Sequence, residues 1–287
     1  MTLFAIKLKR FQLLHFIKKY HWEKIITKGD DTVKKTFFLF ILILFLLLFT
    51  LSVNANCNEY NWFCVHRKDH LQPVADPTIS FIENYGGYYI DKKHGDGNDD
   101  KVIYLTFDAG YENGNVKRIV DVLDSEGVKG AFFVLGHFIE ANSDLVQQMF
   151  DSGHLVCNHT FSHKKMTGKT AEEFKEELSS LETICLEKTG RNLSKYYRPP
   201  EGKFDELSLK YAQDLGYKTV FWSFAYADWD NNAQLSAEKA KQKILENVHN
   251  GEIMLLHPTS ATNAEILAEI IRELKEQGYR FGTLDEL

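Results

Sequence analysis

The chain is short of several things, and each shortage narrows what it is. Its 287 residues hold only four cysteines, Cys57, Cys64, Cys157 and Cys185. Four cysteines in a chain this long do not make a disulfide scaffold, and no C-x-x-C pair is present to build a zinc knuckle or a thioredoxin-type centre. Glycine and proline are not in excess, which excludes collagen-like and low-complexity classes. Basic charge is missing where a nucleic-acid binder needs it. Residues 1–35 carry nine Lys/Arg against Glu23, Asp30 and Asp31, a balance of +6, and residues 36–55 carry no charge. The total of −6 therefore leaves residues 56–287 at −12. An acidic body argues against nucleic acid as a partner, because phosphates are met by a basic face. A glycan or small-molecule substrate stays open.

What is present is an ordinary globular composition, 44% hydrophobic and 26% charged. It is enough for one large domain and a leader, with a core that needs no disulfide support. Residues 37–53 (FFLFILILFLLLFTLSV) are almost purely apolar and follow Lys34-Lys35. As a helix they span about 25 Å, close to the hydrocarbon thickness of a bilayer. The basic flank lies N-terminal, so residues 1–35 are expected to stay cytoplasmic and the body to be exported. Residues 36–55 read either as an uncleaved membrane anchor or as a signal peptide, since Val53-Asn54-Ala55 is a small-residue cleavage pattern. A buried core helix is the weaker alternative, because the run has no polar face. Asn56 directly before Cys57 argues against lipoprotein processing, and Cys57 and Cys64 are close enough to pair outside the cell.

Residues 56–100 are aromatic and mixed, ending in a turn-rich stretch at 94–100, and read as an extension ahead of the main domain. From residue 101 a rhythm begins. Short β-branched or aromatic runs at 102–107, 131–135, 155–157, 219–223, 253–257 and 279–281 predict strands, and a short strand ends in Tyr196-Tyr197. Helical spacing predicts helices at 116–125, 144–151, 171–188, 206–215, 237–249 (capped by Ser236) and 263–277. Strands alternating with helices imply βαβ units around a parallel sheet, repeated enough to close or nearly close a barrel. In such barrels the chemistry lies at the C-terminal ends of the strands.

The candidate residues lie there. Asp108 leaves the first of these strands into a glycine-containing loop, as a functional acid or as a turn residue. His159 and His163 have H-x3-H spacing, which on a helical turn puts two imidazoles on one face, suited to one divalent metal; two exposed loop histidines are the alternative. Arg198 enters a Pro199-Pro200 corner that fixes φ twice and holds the guanidinium still, to orient a carboxylate or merely to shape the corner. Asp228 beside Trp229 suits a histidine-orienting acid with an indole pocket wall. His257 leaves an apolar strand, as a general acid or as a core histidine.

In order, T-F-D-x-G (106–110), N-H-T-x-x-H (158–163), R-P-P-x-G (198–202), D-W (228–229) and L-L-H (255–257) resemble the motifs of the polysaccharide deacetylase family, carbohydrate esterase family 4, also called the NodB-homology domain. The resemblance covers residues 101–287. Longer stretches, T-F-D-A-G-Y-E-N-G and L-L-H-P-T-S-A-T-N-A-E among them, are similar to the PdaA-type muramic acid deacetylases of endospore-forming bacteria. The resemblance implies an α/β fold, a distorted (β/α) barrel, that removes N-acetyl groups from aminosugars. It implies Asp108 as general base, oriented by Arg198. It implies His257 as general acid, tuned by Asp228. Trp229 and Leu255 are implied as walls of the acetyl pocket. His159 and His163 would hold a divalent metal, zinc foremost, with cobalt, nickel, manganese or iron as alternatives.

Two positions depart from the pattern. Ala109 stands where most members carry a second acid that completes the metal ligands and where the PdaA subgroup carries Asn. Glu112 is near enough in sequence to be suspected as a substitute. Glu201 stands where the subgroup tends to carry Arg; the backbone N–H there is expected to help bind an oxyanion, while the side chain should alter substrate preference. The expected substrate is the glycan strand of peptidoglycan outside the membrane, with N-acetylmuramic acid converted on the route to the muramic δ-lactam of spore cortex. A deacetylase of N-acetylglucosamine polymers and a non-catalytic glycan-binding protein of the same fold are the alternatives.

Overall fold

The computed structural model describes residues 58–67 and 69–287. The basic segment, the apolar run and Cys57 lie outside the described residues, and so do the anchor, signal-peptide and Cys57–Cys64 expectations. Among the described residues no helix is long and apolar enough to cross a membrane.

Twelve strands are defined among the described residues. They are β1 (Tyr60–Asn61), β2 (Cys64–Val65), β3 (Val74–Ala75), β4 (Gly87–Tyr88), β5 (Lys101–Ala109), β6 (Gly130–Val134), β7 (Leu155–Asn158), β8 (Ser194–Tyr197), β9 (Lys203–Phe204), β10 (Lys218–Val220), β11 (Glu252–Leu256) and β12 (Tyr279–Phe281). The helices are α1 (Asn115–Glu126), α2 (Gly136–Ala141), α3 (Ser143–Asp151), α4 (Ala171–Thr189), α5 (Glu206–Asp214), α6 (Ala237–Asn247) and α7 (Ala261–Glu276). The main sheet runs β11-β5-β6-β7-β8-β10-β4, with β12 on the start of β5, and every pairing in it is parallel. Parallel neighbours need crossovers, and the helices supply them.

The sheet is an incomplete barrel. Among the described residues its two ends meet through isolated bridges, Ile90 with Glu252 and Phe224 with Met254, and not through a continuous ladder. The distorted barrel expected from sequence is therefore an α/β half-barrel of parallel strands. The strand expected at 219–223 stops at Val220. The following residues leave the regular ladder: the Ser223 N–H donates to the Ile253 carbonyl, and the Trp222 and Ser223 carbonyls take bonds from Trp62 and Cys64 of the N-terminal segment.

Local chemistry explains the element boundaries. Thr170 and Glu173 form a reciprocal capping box at the start of α4, and Asp205 with Ser208 does the same for α5. Ser236 caps α6, as its position predicts, and Ser260 caps α7. Gly127 takes the left-handed conformation that ends α1, its N–H returning to Asp124 O.

Strand β5 is buried on both faces, and alternation divides it between two cores. Val102 and Tyr104 pack inside the half-barrel with Phe133, Cys157 and Ile253. Ile103, Leu105, Phe107 and Ala109 pack outside it, against residues of α1 and α7. Asp108 thus takes the inner parity at the strand's C-terminal end. The N-terminal segment adds a third apolar cluster, in which Trp62 stacks on Phe221 with ring centroids 4.6 Å apart.

Candidate active site

The six candidates that bear the chemistry sit at or after strand ends on one side of the sheet, and Asp108, His159, His163 and His257 line one cleft of about 780 Å³. Leu255, Trp229 and Glu201 line it too. Arg198 and Asp228 stand behind its wall, completely or almost completely buried.

Arg198 organises the first half. Its Nη1 donates to Asp108 Oδ1 at 2.8 Å, its Nη2 to Thr106 Oγ1 at 2.9 Å, and its Nε to the Val220 carbonyl at 3.0 Å. The guanidinium lies over the Phe133 ring at 4.2 Å. A planar fork used in this way fixes the carboxylate it touches. Burial pushes the Asp108 carboxyl up, but the charges of Arg198, His159 and His257 and the Arg198 hydrogen bond bring it below its ordinary value. Asp108 is therefore an anion at neutral pH, one oxygen held and the other free for proton transfer.

His159 Nδ1 lies 2.9 Å from the Arg198 carbonyl, which assigns the proton to Nδ1 and leaves the Nε2 lone pair facing the cleft. Burial pushes its imidazole down to about 4, so the ring is neutral. Nε2 stands 3.6 Å from Asp108 Oδ2, beyond hydrogen-bond length. Two lone pairs facing each other across that gap are an arrangement that a cation or a water completes. The His163 ring is 5.0 Å from that of His159, centroid to centroid.

The pair is not on a helical turn, contrary to the sequence expectation. Residues 159–163 form an irregular loop in which Thr160 (φ 72°) and His163 (φ 56°) are left-handed. Such backbone is costly for a β-branched residue and persists where surrounding contacts hold it. Here Asn158 Oδ1 accepts from Thr160 N at 2.9 Å, and Thr160 Oγ1 accepts from His163 N at 3.0 Å. Asn158 Nδ2 is itself anchored on the Leu178 carbonyl and the Tyr217 hydroxyl, each at 3.0 Å.

The imidazoles suit a divalent metal, since His159 has the second-sphere carbonyl that fixes a ligating tautomer. Position 109 adds nothing, because Ala109 is fully buried in the outer apolar core. Glu112 does not substitute: its carboxylate accepts the backbone N–H groups of Gly114 and Lys117 at the start of α1. Among the described residues no group of three or more Asp, Glu, His or Cys has the spacing of a complete metal site. The protein thus offers two imidazoles, with remaining positions left to water, Asp108 or substrate.

The second half is His257. Its Nδ1 faces Asp228 Oδ1 at 2.7 Å, and its backbone N–H donates to Asp228 Oδ2 at 2.8 Å. Burial lowers this imidazole, but the Asp228 hydrogen bond and the charges of Asp228 and Asp108 raise it above its ordinary value. Asn263 Nδ2 also donates to Asp228 Oδ2, at 2.6 Å, and Tyr226 donates to the Asn263 carbonyl oxygen. Sequence reading missed Asn263, Tyr226 and Thr106 as supports. A buried Asn on the inner face of a helix was the available signal for Asn263. Trp229 stands over His257, ring centroids 6.0 Å apart. Glu201 is left-handed (φ 56°), is exposed, and its carboxylate pairs with Lys203.

The polysaccharide deacetylase profile matches residues 95–220. The chain is 42% identical over 228 residues to the peptidoglycan-N-acetylmuramic acid deacetylase PdaA of Bacillus subtilis, covering 79% of this chain and 85% of that protein. The chain belongs to the polysaccharide deacetylase family. The solved structure of Bacillus subtilis PdaA, a family 4 carbohydrate esterase, superposes with a TM-score of 0.75 at 41% identity, over 80% of this chain and 97% of the other. A family 4 carbohydrate esterase from Bacillus anthracis gives a TM-score of 0.65 at 38% identity, over 80% and 96%. A peptidoglycan-N-acetylglucosamine deacetylase of Bacillus cereus is 31% identical over 66% of this chain and 89% of its own length.

Proposed function

We propose that this deacetylase removes the N-acetyl group of N-acetylmuramic acid in peptidoglycan strands outside the membrane, on the route to the muramic δ-lactam of spore cortex. The observation that carries the reading is the pairing of opposite roles in one cleft: a carboxylate held as an anion by Arg198, and an imidazole whose protonated form is favoured by Asp228. Separated acid and base of this kind serve hydrolysis of an amide.

Asp108 Oδ2 takes a proton from the attacking water while Arg198 keeps Oδ1 in place. His257 Nε2 delivers a proton to the amine as the C–N bond breaks, and Asp228 holds Nδ1 so that Nε2 points into the cleft. The backbone N–H at position 201 helps bind the oxyanion, and Trp229 with Leu255 encloses the acetyl methyl. A divalent metal held by His159 and His163, zinc foremost, supplies polarisation of the acetyl carbonyl. Muramic acid carries a lactyl carboxylate, which Glu201 alone would repel; its pairing with Lys203 cancels that charge at the rim.

The test is acetate release from purified peptidoglycan strands with and without divalent metal, with the products weighed by mass spectrometry. Muramic residues should lose acetyl. Loss only from N-acetylglucosamine residues favours that second substrate, and no release from folded protein with any metal rejects the hydrolase reading.

A further inference from the structure

Two large aromatic rings on the cleft are conspicuously uncovered, Trp229 at 60% and Tyr111 at 48% exposure. Exposed apolar surface of this size on a cleft marks a place where a ligand lies. Trp229 stands over His257 and belongs to the reaction centre. Tyr111 does not share that contact. It leaves the loop after β5, and its hydroxyl accepts a 2.5 Å hydrogen bond from Asn231 Nδ2. Asn231 is two positions beyond Trp229 on a loop that is itself pinned. Gln234 Nε2 donates to the carbonyls of Asp228 and Asp230 at 2.8 Å each, and Gln234 Oε1 accepts from Ser260 at the start of α7.

The phenol oxygen is thus engaged as an acceptor, which orients Tyr111 and leaves its uncovered ring to the cleft. A pyranose has an apolar C–H face and a polar periphery, and an uncovered, pre-oriented aromatic ring matches the former with little entropy lost on binding. The cleft, at about 780 Å³, lies in the upper part of the range that accepts drug-sized ligands and is larger than one sugar ring requires.

We propose that Tyr111, held by Asn231, is a stacking platform for a sugar of the strand adjacent to the one being deacetylated. The inference rests on the glycan reading above and does not depend on which aminosugar is acetylated. It makes Tyr111 a determinant of chain-length preference rather than of the chemical step.

The experiment is a length series of glycan strands, from the shortest that is turned over upward, with Tyr111→Ala, Tyr111→Phe and Asn231→Ala beside the parent. Tyr111→Ala should lower kcat/KM for longer strands roughly tenfold through KM, with little loss on the shortest. Tyr111→Phe should keep most of the preference, and Asn231→Ala should lose part of it. An unchanged length dependence in Tyr111→Ala, or an equal loss at every length carried by kcat, overturns the proposal. Titration of the same strands against Asp108→Asn and Asp108→Asn/Tyr111→Ala, followed by tryptophan fluorescence, separates the two readings. If no strand releases acetate, the hydrolase reading fails. A length-dependent gap in binding between these two variants still upholds the platform, and no gap overturns it.

Discussion

His257 Nδ1 lies 2.7 Å from Oδ1 of Asp228, and the other Asp228 oxygen takes hydrogen bonds from His257's own backbone N–H and from Asn263. The carboxylate grips the residue it serves at two points, so ring position and charge are set together. Asp228→Asn removes the hydrogen bond and charge that raise the imidazole, leaving burial and the Arg198 charge to lower it against the single upward pull of Asp108. In the parent, kcat/KM should fall at high pH only above the ordinary imidazole value. In Asp228→Asn that limb should move to lower pH, and the plateau should drop by at least about tenfold. A pH–rate profile of both proteins checks this; an unmoved limb would assign the titration to another group.

On the proposed mechanism the acid limb belongs to Asp108. Its folded pKa is lowered, so the group stays ionised to below the ordinary carboxylate value; its share of stability, complete above that value, is lost as pH falls from there through the folded value. Arg198→Met removes the largest of the contributions that together outweigh desolvation at Asp108. The acid limb should then rise above the ordinary value, and stability should fall by about 3 kcal/mol, the usual scale for stranding one partner of a buried pair. Urea denaturation of Arg198→Met and of Arg198→Met/Asp108→Asn measures it, with the double variant expected to recover part of the loss.

Asn158 supports the histidine loop from below. Asn158→Ala should release Thr160 and His163 from their left-handed conformations, which cost about 1–3 kcal/mol each to maintain. Divalent-metal affinity, read by calorimetry, should fall although neither imidazole is altered. Unchanged affinity would mean that the loop holds itself.

Glu252 lies far from the cleft chemistry in role, at the start of β11, fully buried. Its Oε2 accepts the His249 backbone N–H, its Oε1 has no hydrogen-bond partner among the described residues, and burial holds its pKa well above the ordinary range. A group whose folded pKa is raised binds more protons when folded, so stability is lost as pH rises above the unfolded value. Glu252→Gln should therefore stabilise the protein more at pH 8 than at pH 4, by thermal denaturation at both. A pH-independent effect would show that the carboxylate is ionised against His249.

The candidate catalytic groups were legible in sequence because each follows an apolar run: Asp108 is next to last in β5, His159 follows β7, and His257 follows β11. What was not legible is long-range geometry. The H-x3-H spacing suggests a helical turn, yet Asn158 and Thr160 side chains impose an irregular loop, held by tertiary anchors at Glu177, Leu178 and Tyr217. Strand β4 is two residues long, too short for any periodicity to reveal. The six-residue α2 opens with Gly136, where an added Cβ would strike the Phe161 ring at 2.5 Å, so its composition reflects close approach more than helix propensity.

That short strand governs the order of assembly. Gly87 pairs with Thr219 and Tyr88 with Val220, so the sheet's outermost member precedes in the chain every strand that it lies beside. During synthesis it must stay unpaired until β10 has been made, and the loop it then closes is among the longest in the fold. Contacts of that separation form late and slowly. A chain cut before residue 101 would keep Asp108, the histidines and Arg198, yet would leave β10 with a raw edge, prone to join another molecule in place of its missing neighbour.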